Sequence, residues 1–107
     1  MVKLDLNDYD LTTLEELYGK IKIGLGKKIA ECRENAGFPK RSYHDSSKSA
    51  NILFNTESGK NFPNADTLNY YMELYQVSDR VRSQLLDLHL QGKQVKREIF
   101  RRKRGWK

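Results

Sequence analysis

Apolar residues along this chain recur at helical intervals far more than at strand intervals. From Leu25 the positions Leu25, Ile29, Cys32 and Ala36 step by four, three and four, which lays one apolar face along a helix. Gly37 follows with the left-handed stop such a helix needs. Upstream, Thr12 with Glu15 and Thr13 with Glu16 have capping-box spacing and predict a short helix that weakens at Gly19, its continuation through residues 20–24 being left open. The run "YGKIKIGLG" alternates only briefly and is bounded by glycines, so no strand is expected.

Both prolines, Pro39 and Pro63, stand where one helix would end and another begin. The serines at 42, 46, 47 and 49 suit caps better than helix interiors, so "PKRSYHDSSKSANILFNTESG" reads as two short helices, the second from about Lys48 or Ser49 to Glu57 with Gly59 ending it. Asn64 or Asp66 can cap a helix with Leu68, Tyr71, Met72 and Tyr75 inside, and Ser78 or Asp79 another with Val81, Leu85 and Leu88 inside. Gly92 is read as a break before a last helix that docks through Val95, Ile99 and Phe100.

The chain has 107 residues and a formal charge of +6, enough for one domain with a modest core and loosely held ends. The charge is uneven: residues 1–18 carry one Lys against five acids, and residues 93–107 carry eight Lys or Arg against Glu98 alone. A basic tail favours a polyanionic partner, and for a small basic domain nucleic acid is the commonest. Cys32 is the single cysteine, and His44 and His89 have no partner at metal-ligand spacing, so neither disulfide nor metal nor cofactor is expected. There is no phosphate-binding glycine motif and no nucleophile with a base, which argues against an enzyme. Without an apolar run of membrane-spanning length or a secretory signal, no membrane association is expected, and the cytoplasm, with the nucleoid, is the expected location.

Two short helices walled in by two more form the layout of a helix-turn-helix domain, whose second short helix enters the major groove. The run "LGKKIAECRENAGF" resembles the opening of the lambda-repressor-like, or XRE-type, family in Leu25, Gly26, Ile29, Arg33, Gly37 and Phe38. Glu57, Ser58 and Gly59 resemble the Glu-x-Gly that closes the family's recognition helix, Lys60 to Pro63 its basic loop, and Tyr75-Gln76-Val77 its Tyr-Gly-Val. The resemblance implies an all-α, five-helix bundle over residues 21–91, with an acidic N-terminal extension over 1–20 and a basic C-terminal helix or tail over 92–107. Three features depart from the pattern. The helix-turn-helix is one residue short, Ser and Lys replace the usual Leu-Gly-Val of the turn, and Phe54 falls where a polar residue is expected. Either the recognition helix is rotated to bury Ile52 or Phe54, or its outer surface is unusually apolar.

Asn51 and Asn55, four apart on one helix face, can each offer adenine a donor and an acceptor together. Ser49 is a further polar candidate, and Ala50 and Ile52 could meet a thymine methyl. Lys48, before the helix, is a candidate phosphate contact; the resemblance implies others at Lys40, Arg41, Lys60 and Asn61, and Arg101, Arg102, Lys103 and Arg104 could track a neighbouring backbone. The expectation is a dimeric repressor on double-stranded DNA, with Trp106 as a candidate dimer or core anchor. Its rivals are an antitoxin-like or adaptor protein with a protein partner, and a non-specific architectural DNA binder.

Overall fold

The computed structural model describes residue 6 and residues 8–38 and 47–104, and these form an all-helical arrangement of four helices. They are α1 (Leu11–Asn35), α2 (Ser47–Glu57), α3 (Ala65–Leu74) and α4 (Asp79–Lys103). The expected count was five, and the first of the two short helices expected after Gly37 falls on residues 39–46, outside the described residues. No helix among those described is long and apolar enough to cross a membrane.

Helix α1 starts earlier than the threonine caps predicted, because Asp10 accepts the Thr13 N–H at 2.7 Å. It continues through Gly19 and Gly24, one helix where two were considered, with Leu14, Ile21, Leu25 and Ile29 turned inward on one stripe. Burying such side chains contributes about 1.5–3 kcal/mol each, against about 1 kcal/mol for a helical glycine. Ala36 is exposed rather than buried: the helix ends at Asn35, and from there the residue spacing no longer predicts a face.

Three of the four helices end in the same way. The Phe38 and Gly37 N–H groups return to the Arg33 and Glu34 carbonyls, those of Lys60 and Gly59 to Asn55 and Thr56, and those of Val77 and Gln76 to Met72 and Glu73. Each is a Schellman closure, which requires a left-handed residue just past the cap. Gly37 and Gly59 supply it at φ 85°, and Gln76 is forced into it at φ 50°. The caps expected at Asn64 and Ser78 are present, accepting the Thr67 and Val81 N–H groups.

Gly92 does not break the last helix. Buried Leu85, His89, Gly92 and Val95 form one stripe along α4, and a Cβ at Gly92 would lie 2.3 Å from the Phe62 ring. The glycine is a seat for Phe62, whose ring also stacks on His89 with centroids 4.9 Å apart. The His89 Nε2–H donates to the Pro63 carbonyl at 2.8 Å, and burial holds the imidazole pKa below its usual value, favouring the neutral ring that stacks there.

The core has two parts. The larger joins Leu25, Ile29 and Cys32 of α1 to Leu53, Leu68, Met72 and Leu85; the smaller joins Leu14 and Ile21 to Val95. Phe62 packs against both. Among the described residues, α1 crosses residue 20 and α4 crosses residue 92 without interruption, and the start of α1 lies along the end of α4. Phe100, expected to dock inward, is exposed instead.

Gly26→Ala is expected to lower stability by about 1–3 kcal/mol, because its Cβ would stand 2.3 Å from the Thr56 carbonyl oxygen, a backbone atom that must move. Gly19→Ala, with open space around it, should raise stability by roughly 0.5–1 kcal/mol. Denaturant melts of the two variants read both signs. Gln76→Gly should add about 0.5–1 kcal/mol in the same assay by removing the left-handed penalty, and a loss would count against that strain.

Candidate nucleic-acid interface

Helix α2 is short and, among its described side chains, turns Leu53 and Thr56 to the core. The buried Thr56 hydroxyl is satisfied within the helix, donating to the Ile52 carbonyl at 2.8 Å. Three contacts clamp the end of α2 to α1. The bare Cα of Gly26 lets the Thr56 and Glu57 carbonyls come close, and Gly59 lies against Ile23. The third is an ion pair: Arg33 Nε donates to Glu57 Oε2 at 2.7 Å and Nη2 to Oε1 at 3.3 Å, while Nη1 donates to the Phe38 carbonyl at 2.9 Å. Both side chains are almost wholly buried, 4% and 9% exposed. One guanidinium thus ties the end of α2 to the turn that leaves α1.

This clamp decides how α2 is turned. Leu53 is buried, and neither Ile52 nor Phe54 is rotated inward; they are 42% and 55% exposed. Of the two alternatives, the apolar outer surface is the one adopted. Asn55 is half-buried, and Lys60 and Asn61 are exposed in the loop after Gly59. The Lys60 and Asn61 amides both donate to the Asn55 carbonyl, at 2.9 and 3.1 Å, so a phosphate would meet their side chains there. Lys48, Ser49, Ala50 and Asn51 belong to α2, but their side chains lie outside the described residues, as do Lys40 and Arg41 entirely.

The two flanks of α2 differ in charge. Ile52 shares a depression with Lys22, Lys60, Asn61 and Lys96, with no acid in its lining. Phe54 shares another with Lys27, Glu31, Glu34 and Glu57. Sequence reasoning did not nominate Lys22 or Lys96, and no local signal could have done so. They stand on α1 and α4, and only the fold brings them beside α2.

The C-terminal cations lie elsewhere. Arg102 donates to Glu98 at 2.7 Å, to the Leu6 carbonyl at 2.9 Å and to the Tyr9 carbonyl. Arg101 pairs with Glu98, and Lys103 with Glu15 at 2.9 Å. The Arg101 hydrogen bonds, with those of Arg102, hold the Glu98 carboxyl below its usual pKa, which favours its charged form. Three of the four tail cations assigned to phosphate are engaged within the chain, and the acidic N-terminal segment supplies several of their partners.

Breaking the buried pair by Glu57→Ala or Arg33→Ala should each cost about 3–5 kcal/mol, because a buried charge loses its main partner. Arg33→Ala with Glu57→Ala should cost less than the sum of the two single changes. A double-mutant cycle by urea denaturation measures this, and simple additivity would remove the pair from its structural role.

Compared with protein-family models, curated proteins and solved structures, the chain matches none of them.

Proposed function

We propose that the protein is an XRE-type helix-turn-helix module that binds double-stranded DNA as a homodimer, inserting α2 into the major groove, and represses transcription by occupying an operator. The observation that carries this reading is the presentation of α2. A short helix held by a buried ion pair and two close-approach glycines, flanked by an acid-free patch of lysines, has the form that groove insertion requires. In this reading the five-helix layout includes a short helix between α1 and α2, within residues 39–46. Asn51 and Asn55 read base edges, Ser49, Ala50 and Ile52 lie against them, and Lys60 and Asn61 meet phosphate together with Lys22 and Lys96. Lys40, Arg41 and Lys48 serve the same backbone from the other end of the motif. The protein works on the nucleoid and needs no cofactor.

One observation favours the rival protein-interaction reading. Phe54 is 55% exposed in a depression where Glu31, Glu34 and Glu57 stand with Lys27 and Arg33, an apolar side chain in mixed-charge surroundings that suits a protein partner better than a phosphate backbone.

Titrating selected and mixed-sequence duplexes at two salt concentrations separates the readings. Asn51→Ala with Asn55→Ala should cut discrimination between sites roughly ten- to hundredfold. Lys22→Ala with Lys60→Ala should weaken all duplexes alike and reduce the salt slope by about two. Absence of duplex binding by the intact protein would sink repression and leave the interaction reading.

A further inference from the structure

A second concave surface adjoins the depression beside Ile52 and extends away from α2. It is a cleft of about 720 Å³ between the loop entering α3 and the C-terminal half of α4. Phe62, Pro63, His89 and Phe100 give it an apolar, largely aromatic lining. Lys93, Lys96, Arg97, Arg101 and Arg104 supply its charge, and no acidic residue lines it.

The fold does not explain this arrangement. Lys93, Arg97 and Arg101 stand at i, i+4 and i+8 on α4, and Lys93 and Lys96 at i, i+3, spacings at which like charges destabilise a helix by about 0.2–0.5 kcal/mol per pair. Arg101 is relieved by Glu98. Among the described residues, no carboxylate lies within ion-pair distance of Lys93, Lys96, Arg97 or Arg104. Phe100 is 58% exposed amid these cations, although an inward-facing position would bury it. The volume falls in the range of sites for small ligands, about 300–1,000 Å³.

We propose that this cleft binds a small aromatic anion, its ring seated against Phe62 and Phe100 and its phosphate, sulfonate or carboxylate group held by Lys93, Arg97 and Arg104. Both halves are required. Arginine and lysine donate charge-assisted hydrogen bonds to the anion, and the aromatic lining accepts a flat ring that water would otherwise cover. The site stands independently of the DNA reading, although Phe62, Pro63 and Lys96 line both this cleft and the depression beside Ile52, so an occupant would touch the same loop.

The probe is 8-anilinonaphthalene-1-sulfonate, followed by its fluorescence on the full chain, with neutral N-phenyl-1-naphthylamine and inorganic phosphate as the two half-ligands. The sulfonate should bind in a one-to-one ratio and more tightly than either half-ligand. Phe100→Ala, and separately Lys93→Gln with Arg97→Gln, should each weaken it roughly tenfold. All three residues are on the surface or its edge, and circular dichroism confirms that the variants remain helical. Phe54→Ala, which removes the other exposed phenylalanine, should leave binding unchanged. Equal loss in Phe54→Ala, or equal affinity for the neutral probe, would reduce the result to general apolar adsorption and overturn the proposal. Tighter binding in Trp106→Ala would overturn it in favour of the chain's own tail as occupant. Displacement by a mixed-sequence duplex but by no aromatic anion would assign the cleft to a nucleic-acid backbone.

Discussion

The buried pair between Arg33 and Glu57 is the constraint on which the arrangement around α2 depends. Two charges removed from water are tolerated only when each is met by partners of good geometry. The guanidinium meets this by dividing its donors between the Glu57 carboxylate and the Phe38 carbonyl. It therefore fixes three things at once: the end of α1, the end of α2, and the turn of α2 about its own axis. With α2 set in that way, Leu53 and Thr56 face inward, and Ile52 and Phe54 remain outside although burial of either would favour another rotation. Rotating α2 to bury one of them would gain about 1.5–3 kcal/mol, but it would expose Leu53 and break the buried pair, which costs about 3–5 kcal/mol.

Phe62 has a comparable role for the rest of the molecule. It sits in the gap left by Gly92, stacks on His89 and touches both parts of the core. Through it the loop after α2 is held against α4, the helix that lies along α1. The N-terminal segment closes the same assembly from its far end, where Arg102 collects the Leu6 and Tyr9 carbonyls and Lys103 meets Glu15. Acidic head and basic tail, which look like two separate interaction arms along the chain, neutralise each other in part. Among the described residues, the cations on the other side of α4 and beside Ile52 are not used up in this way.

The local features of the fold were legible in the sequence. The stops at Gly37 and Gly59, the caps at Asn64 and Ser78, and the buried faces through Leu25 and Ile29 or through Leu68, Tyr71, Met72 and Tyr75 follow from spacing within one or two turns. Gly92 was misread because a glycine in a helical pattern signals either a stop or a close approach, and the approaching ring lies thirty residues earlier in the chain. Ala36 and Phe100 were placed inside because spacing alone extends a face beyond the point where the partner helix or the helix itself ends.

For the candidate interface the division is sharper. The sequence by itself determined that a short polar helix would end at Gly59 before a basic loop, because capping and left-handed closure are settled among neighbouring residues. Which way that helix faces, and which lysines and arginines are spent within the protein, only the tertiary structure decided. Arg33 reaches Glu57 across 24 residues and Arg102 reaches Leu6 across 96, and no pattern along the chain records pairings at such separations. A charge counts toward a partner only when the fold has not already paired it, and that is a property of distance in space.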